Sequence, residues 1–347
     1  MSELLNFLLS LETIIYFIFI VLIAGTVIVV ISENRSPIKT IAWLLVLIFV
    51  PLFGLIIYYF FGQDTRRMRL YSEKKYRQIK DLSFKSLTPN RNIKILPEYG
   101  NLINLLKNNN FSPVLQGSKV EVITEGSRMF EVLLEDLDKA QHHIHIEFFI
   151  FKNDQTGKIV KEMLMKKASE GVEVRFIYDK VANWLIPNKF YNEMKKNGVK
   201  ITSLMDAKYV KLGEKLNYRN HRKVIVIDGV TSYIGGMNIS NNYFINPNWR
   251  DTHLRIQGQG ALGLQACFLI DWYSSGEQFL DDKNYFPETK DYTQNLMQIA
   301  TGGPYSLHHN LLQATINIII GAKKYIYMQT PYFYLLSRCF RYCRWLH

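Results

Sequence analysis

Hydrophobic positions divide the chain into two unlike parts. Residues 13–32 form a run of 20 residues without a charged side chain, and residues 40–63 form a second such run of 24. Each run is as long as the roughly 20 apolar residues that cross a bilayer core. We therefore expect two membrane spans, at about 13–32 and 40–63, which a short loop joins into a hairpin of helices over residues 1–63.

The rest of the chain shows a different pattern. From Lys119 onward, segments with helical spacing of apolar residues alternate with strand-like runs, as in "SRMFEVLLEDLDKA" followed by "HHIHIEFFIF". This alternation predicts an α/β sheet with crossover connections. The segments "HRKVIVID" and "TSYIGG" read as two strands joined at the turn signal Asp228-Gly229. Residues 64–110 are charged and rich in Asn, and we interpret them as a linker or a peripheral segment.

The strand-like pattern recurs near the end of the chain. "AQHHIHIEFFIF" and "AKKYIYMQTPYF" match at a shift of 182 residues, and each follows a helical segment. We therefore expect one complete lobe over residues 111–290 and the beginning of a second lobe over residues 291–347.

The distribution of charged residues supports the division between residues 1–63 and the rest of the chain. The chain has 42 Lys and Arg against 30 Asp and Glu, and residues 1–63 contribute only two basic and three acidic residues to these totals. A basic run follows the second span: Arg66, Arg67, Arg69, Lys74, Lys75, Arg77 and Lys80. The positive-inside rule therefore predicts a cytoplasmic body on a multi-pass anchor in the cell membrane, with the basic run against anionic headgroups. A solvated helix face is the alternative for this run, and three cysteines exclude a disulfide scaffold.

The densest group of polar residues lies in "NHRKVIVIDG". On an extended strand, His221 and Lys223 project side by side, and four apolar residues then lead to Asp228. Gly235-Gly236 and Asn238 follow on the next strand. A histidine beside a fixed cation suits chemistry on a phosphodiester, because imidazole can attack phosphorus or move a proton while the ammonium stabilises the phosphoryl oxygens. An ordinary polar strand end is the alternative.

The context of this motif favours the chemical interpretation. "HRKVIVIDG…YIGGMN" resembles the H-x-K-x4-D motif of the phospholipase D superfamily. With "IHIEFFIFKND", "EGVEVRFIYD", "NWRDTHLRIQGQGALGLQACFLIDW" and the N-terminal hairpin, the chain is similar to the bacterial cardiolipin synthase family almost throughout. The resemblance implies an α/β phospholipase D-like fold. It also implies transfer of a phosphatidyl group between two phosphatidylglycerol molecules through a phosphohistidine, which gives cardiolipin and glycerol.

The resemblance also implies roles for particular residues. His221 would be the nucleophile or the acid, Lys223 would bind the phosphate, and Asp228 would support the histidine. Asn238 would contact the phosphate as well. Glu147 shares a strand face with two histidines and is expected to line the site, although a buried charge paired with a basic neighbour is an equal alternative. Because the cation is a lysine and the nucleophile a side chain, no metal and no cofactor are expected.

The sequence departs from the family pattern in one respect. Family members carry two such motifs, one in each lobe, and this sequence contains one. The repeat would put a second histidine near position 403, whereas the last segment reads "YLLSRCFRYCRWLH". We expect this tail to be out of frame or truncated, and the chain to be an incomplete, weakly active or inactive synthase. Two chains could pair their motifs as a homodimer.

Two rival functions remain at this stage. One is a phosphodiesterase of the same superfamily, a phospholipase D or a nuclease, and the other is a non-catalytic membrane protein that binds anionic lipid. A basic body suits nucleic acid, but the hairpin argues against it, so no nucleic-acid partner is expected. Two further motifs are rejected: the G-x-G-x-x-G at Gly258, Gly260 and Gly263, which no buried strand follows, and Cys339, Cys343 and His347, which lack a fourth metal ligand.

Overall fold

The structure is a computed structural model of the 347-residue chain. It describes residues 2–32, 37–58, 62, 93, 95–110, 112–203, 220–246, 248–302 and 310–329. The chain forms two compact units. One consists of residues 1–67 with 210–218, and the other of residues 68–209 with 219–347.

The first unit is helical: α1 spans Ser2–Ser32, α2 spans Pro37–Phe49, and α3 spans Pro51–Ile57. Within the part of the chain described here, one helical segment is long and apolar enough to cross a membrane, Glu12–Ser32, with 21 residues. At 1.5 Å per residue it is roughly 30 Å long, which matches a bilayer core. Its apolar side chains point outward, which fits association with a membrane.

The second apolar run is divided into two helices. The apolar run that begins at Thr40 is not one continuous helix, because the helix breaks at Val50, which has φ −136° and ψ 64°. Pro51 explains the break, since a proline disfavours the helical conformation in the residue before it. Gly54 lets α3 pack beside α2, because a Cβ there would lie 2.9 Å from the carbonyl oxygen of Val46. A single helix over the whole of this run would be long enough to cross a bilayer core, whereas α2 and α3 are each shorter than that.

The second unit is built on a mixed sheet of seven strands, in the order β2-β8-β7-β6-β3-β4-β5. Strands β3, β4 and β5 run parallel, and the other neighbours are antiparallel. The strands of the sheet are β2 (Lys119–Ile123), β3 (His143–Phe148), β4 (Glu173–Tyr178), β5 (Lys200–Ser203), β6 (Lys223–Ile227), β7 (Thr231–Gly235) and β8 (His253–Gln257). Two further short strands, β1 (Leu115–Gln116) and β9 (Leu296–Met297), pair with each other.

Helices follow the strands as the hydrophobic pattern predicts. They are α4 (Gly100–Asn110), α5 (Gly126–Asp138), α6 (Gln155–Ser169), α7 (Asn188–Lys196), α8 (Asn241–Phe244), α9 (Gln259–Ser274) and α10 (Asn310–Gly321). α5, α6 and α7 bury one face of the sheet in a large apolar core, and α9 covers the other face. The α/β architecture predicted from the sequence is therefore confirmed.

The strand register defines two ends of the sheet. Phe148 lies opposite both Tyr178 and Lys223, and Gly235 lies opposite His253. We call this the Lys223 end, where β3 and β4 finish and β6 and β8 begin. The opposite end, where β6 turns into β7, is the Asp228 end.

The predicted hairpin between β6 and β7 is present at the Asp228 end. Asp228 has φ 52° and Gly229 has φ 68°, and the N–H of Val230 donates to the carbonyl of Ile227. Two successive positive φ values are what a type I′ turn requires, and Asp-Gly is a favoured pair for it.

The segment that we interpret as the second copy of the internal repeat contains a helix. Its helix is α10, which packs on α4 through a hydrogen bond of 2.8 Å from Asn109 Nδ2 to Gln313 Oε1. Residues 325–329, where the repeat predicts a strand, are described but form none. The tail from residue 330, with the cysteines noted above, lies outside the described residues.

Candidate active site

His221 lies two residues before β6, at the Lys223 end of the sheet, and it is exposed. Its ring stacks on the ring of Phe149, the residue that follows β3, with the ring centroids 4.0 Å apart. Phe149 therefore limits the imidazole to one plane while leaving its edge open to solvent. An exposed, oriented imidazole is what a nucleophile for a bulky substrate requires.

Lys223, the first residue of β6, lies beside this histidine. Its ammonium donates a hydrogen bond of 2.8 Å to the carbonyl oxygen of His221 and lies 5.2 Å from the centroid of the Phe149 ring. The side chain is only 6% exposed. An ammonium has three N–H donors, and the bond to His221 uses one of them, so the group has donors to offer an anion as far as the described residues show.

Burial and neighbouring charges shift the pKa values of His221 and Lys223. Burial, and then the neighbouring charge of Lys223, lower the pKa of His221, while Asp179 acts in the opposite direction. At neutral pH the imidazole is therefore mainly neutral, which is its nucleophilic form. Burial lowers the pKa of Lys223 to about 8, against an opposing effect of Asp251. The ammonium consequently keeps its charge at pH 7 but loses it under mildly alkaline conditions.

The loops after β3 and β4 hold this pair in place. Asp179 directly follows β4, and its two carboxylate oxygens accept from the backbone N–H groups of Ala182 (2.8 Å) and Asn220 (2.9 Å). Asn183 accepts from the N–H of Phe151 at 2.9 Å and donates to the carbonyl of Phe149 at 2.8 Å. These bonds fix the backbone on both sides of the stacked rings. Sequence reasoning missed them, although a polar residue directly after a buried strand was a usable signal for Asp179.

The expected role of Asp228 is corrected by its position. Seven positions separate it from His221, roughly 23 Å along an extended strand. Its carboxylate lies at the Asp228 end and accepts from the backbone N–H groups of Gln141, His142 and His143, each at 2.8 Å. Asp228 therefore does not support the histidine. It fixes the start of β3 and the turn that precedes β7.

Glu147 also differs from the expectation that it lines the site. It is fully buried on the sheet face that α9 covers, together with His143 and His145, whose rings lie within hydrogen-bond distance of Gln265. Its carboxylate accepts from the side-chain amide of Asn220. Burial raises the pKa of Glu147, against the opposing effects of Arg222 and Asn220. Glu147 thus acts on Asn220, the residue before His221.

Asn238 is also engaged inside the protein. Its side-chain oxygen accepts from the N–H of Ile150 at 3.1 Å, and its amide nitrogen donates to the hydroxyl of Tyr243 at 2.9 Å. With 3% exposure it is buried, and these two bonds hold the loop after β3. Its contact with a phosphate stays a prediction.

Two residues that the sequence analysis used for the family resemblance, without giving either a role, lie beside Lys223. Asp251 lies against Gly236, where any Cβ would overlap its carboxylate. His253 begins β8 directly opposite Gly235; it is fully buried, and neither ring nitrogen has a hydrogen-bond partner among the described residues. Burial, and then the charge of Lys223, lower the pKa of His253 to about 3, so its ring is neutral.

The G-x-G-x-x-G segment is not a dinucleotide site. Gly258 has φ 94° and precedes α9, while a Cβ at Gly260 or Gly263 would collide with side chains of β1, β8 and β9. These glycines let α9 lie close to the sheets. The rejection made from the sequence agrees with this packing.

Sequence comparison identifies the class of protein to which this site belongs. A family described as "Cardiolipin synthase, PLD-like domain" matches residues 133–260, which include the stacked histidine and the lysine. A second, described as "Phospholipase D-nuclease N-terminal", matches residues 14–63. The fold and the site are those of a phospholipase D superfamily protein.

Relatives define the family within this class. The chain is 36% identical to the major cardiolipin synthase ClsA of Bacillus subtilis over 92% of its own length and 68% of that protein. It is 34% identical to a cardiolipin synthase of Oceanobacillus iheyensis over 91% of its own length and 68% of that protein. The chain belongs to the bacterial cardiolipin synthase family, and it spans about two thirds of the length of these relatives.

Solved structures with related folds include NucT from Helicobacter pylori, at 22% identity and a TM-score of 0.37 over 45% of this chain and 97% of that one. Phosphatidylserine synthase from Haemophilus influenzae matches at 12% identity and a TM-score of 0.44, over 65% of this chain and 58% of that one.

Proposed function

We propose that this chain transfers a phosphatidyl group between two phosphatidylglycerol molecules, with His221 as the nucleophile and Lys223 as the phosphate ligand. The observation that carries the proposal is the pairing of an exposed, stacked imidazole with the ammonium of a buried lysine at one end of the sheet. Membership of the cardiolipin synthase family supports the choice of reaction.

The first step forms a covalent intermediate. An imidazole nitrogen of His221 attacks the phosphorus of one phosphatidylglycerol, the bond from phosphorus to the glycerol oxygen breaks, and that oxygen leaves with a proton as glycerol. Lys223 stabilises the negative charge on the non-bridging oxygens. In the second step, a headgroup hydroxyl of another phosphatidylglycerol attacks, the phosphorus–nitrogen bond breaks, and cardiolipin forms.

Both steps need a group that gives a proton to the leaving oxygen and takes one from the attacking hydroxyl. The H-x-K-x4-D motif occurs once in this sequence. We propose that a second copy of the chain supplies its own His221 for this role, so that the active form is a homodimer. Activity per chain that rises with the protein-to-lipid ratio of the vesicles would support this arrangement.

We also propose that the chain is a multi-pass protein of the bacterial cell membrane with its body in the cytoplasm. Support comes from the apolar helix Glu12–Ser32 and from the basic residues that follow the second apolar run. Labelling of an introduced cysteine by a membrane-impermeant reagent tests this: Val122→Cys should be labelled only in opened cells.

The central test uses the purified full chain in phosphatidylglycerol vesicles. Mass spectrometry should detect cardiolipin and released glycerol, and, at alkaline pH, a phosphatidyl adduct on the peptide that contains His221. His221→Ala should abolish all three, whereas His142→Ala, an exposed histidine at the Asp228 end, should leave them unchanged. An adduct on another residue, or cardiolipin formation that survives His221→Ala, contradicts the proposal. Phosphatidic acid as the main product would instead identify a hydrolase.

A further inference from the structure

Two large apolar side chains are exposed next to each other in the loop that follows β4. Trp184 is 75% exposed and Leu185 is 73% exposed, although they are joined to a well-packed core through Ile186. Leaving a neighbouring tryptophan and leucine in water is unfavourable, and adjacent exposed apolar residues of this size commonly mark a contact surface.

This loop is connected to the candidate nucleophile. It starts at Asp179, which holds the N–H of Asn220, and it continues through Asn183, which holds the carbonyl of Phe149. Trp184 directly follows Asn183. Asn183 in turn bonds to the backbone of Phe149, and the ring of Phe149 stacks on His221. The exposed pair therefore lies at the Lys223 end of the sheet.

A second exposed apolar pair lies at the same end. Ile245 is 53% exposed and Trp249 is 48% exposed, and both belong to the connection between β7 and β8. Trp249 packs edge-on against Tyr243, with ring centroids 5.4 Å apart, and the hydroxyl of Tyr243 accepts from Asn238. Both ends of this connection join the sheet at the Lys223 end.

The charges around these apolar side chains have one sign. Within the described parts of loops 149–154, 179–189 and 245–251, the exposed charged residues are all basic: Lys152, Lys180, Lys189 and Arg250. The acidic residues of the same loops are buried or partly buried: Asp154, Asp179 and Asp251. Aromatic and aliphatic side chains within a basic rim match the interface of a bilayer that carries anionic lipid.

We propose that Trp184 and Leu185 insert into the headgroup region of an anionic bilayer, with Ile245 and Trp249 beside them, and that this surface presents His221 to lipid phosphates. The inference rests on the proposed function in one respect, since a lipid substrate gives the Lys223 end a reason to face the membrane. Docking itself does not depend on the chemistry, because its contacts are made by residues outside the proposed catalytic pair.

A fluorescent probe tests the docking without relying on catalysis. In the full chain with Cys339→Ser and Cys343→Ser, Leu185→Cys receives an environment-sensitive probe, and the protein is reconstituted in phosphatidylglycerol bilayers that contain a spin-labelled quencher lipid. The matched control is a probe at Tyr292→Cys, a 45%-exposed apolar position whose N–H bonds to Gly117 near the Asp228 end. We expect quenching of the Leu185 probe to exceed that of the control about fivefold, in line with burial in the acyl boundary.

Equal quenching of the two probes would overturn the proposal. So would a Leu185 probe that is shielded from both lipid and water as the chain concentration rises, because a second copy of the chain would then cover the surface.

An activity measurement separates docking from chemistry. The double variant Trp184→Ser, Leu185→Ser should lower cardiolipin formation on bilayers about tenfold, while formation from phosphatidylglycerol in detergent micelles changes less than twofold, because micelles deliver lipid without docking. Tyr292→Ser should change neither. Equal losses in bilayers and micelles would assign the loop a structural role and overturn the proposal. Lipid quenching without any cardiolipin from the wild-type chain would refute the proposed function and leave the docking intact.

Discussion

The two halves of the H-x-K-x4-D motif lie at opposite ends of β6, and the ends differ in their charged groups and in their hydrogen bonds. At the Lys223 end, an exposed imidazole stacks on one ring, and an ammonium bonds to one carbonyl oxygen. At the Asp228 end, a carboxylate accepts from three backbone N–H groups and lies in a tight turn. The first end is built to accept a ligand and the second to hold a strand in place. Residues that recur together in a motif therefore need not act together in the chemistry.

The largest expected effect tests the Lys223 end. His221→Gln should lower the rate of phosphohistidine formation by at least about a thousandfold, because the nucleophile is lost. The free energy of unfolding should change by less than about 0.5 kcal/mol, since the ring is exposed. Rapid-quench labelling and chemical denaturation measure the two quantities. A large fall in the free energy of unfolding would show that His221 also stabilises the fold. The Lys223 end would then differ less from the Asp228 end.

The next effect tests the Asp228 end and should have the opposite profile. Asp228→Ala removes the acceptor of three backbone N–H groups, so the free energy of unfolding should fall by about 3 kcal/mol. Asp228→Asn, which keeps one oxygen and tolerates a positive φ, should lose about half as much. Activity per folded molecule should stay within about twofold in both variants. Selective loss of activity with stability retained would restore Asp228 to the chemistry.

A pH profile sharpens the electrostatic part of the comparison. With the pKa of Lys223 at about 8, the rate should fall by about 15-fold between pH 8 and pH 9.5, as the phosphate ligand loses its charge. Lys223→Arg should move this decline above pH 10, because a guanidinium does not lose its proton in this range.

Stability should respond to the same group with the opposite sign. The folded pKa of Lys223 lies below its ordinary value of 10.5, so the unfolded chain binds more protons between pH 8 and pH 10.5. The contribution of Lys223 to the free energy of unfolding therefore rises over this window while activity declines. Denaturation at pH 8 and pH 10, for the wild type and Lys223→Arg, measures the difference. A decline in activity that Lys223→Arg does not shift would assign the alkaline limb to another group.

The smallest effect concerns His253, beside the Lys223 end. Its ring nitrogens lack partners among the described residues, and an unsatisfied buried polar group is destabilising by about 1–3 kcal/mol. His253→Leu should therefore raise the free energy of unfolding by about 1 kcal/mol. If the stabilised variant also makes cardiolipin more slowly, His253 contributes to activity at the expense of stability. Lower stability would instead reveal a partner for the ring.

Much of this comparison could be predicted from particular residues. The strand "KVIVI", the turn at Asp228-Gly229 and the face shared by His143, His145 and Glu147 follow from a two-residue period and turn chemistry, and all are observed. The distance of Asp228 from His221 was also available, because an extended chain fixes it. The break before Pro51 was likewise readable in the sequence.

Other features depend on long-range packing that no local pattern encodes. The burial of His143, His145 and Glu147 on one face of β3 depends on α9, which begins more than a hundred residues later. The bond from Asn220 to Asp179 joins residues 41 positions apart, and the one from Ile150 to Asn238 joins residues 88 apart. Both contacts form only when the strand order is fixed. The pair of His221 and Lys223 could therefore be predicted from the sequence, whereas the hydrogen bonds that hold the backbone around it could not.

The antiparallel placement of β6 beside β3 has a consequence for how this protein can change. The described segments around His221 are connections that leave or enter the sheet at the Lys223 end, and they lie outside its strands. Headgroup preference could therefore be altered by exchanging those connections, in evolution or in the laboratory, with the strands of the sheet left as they are.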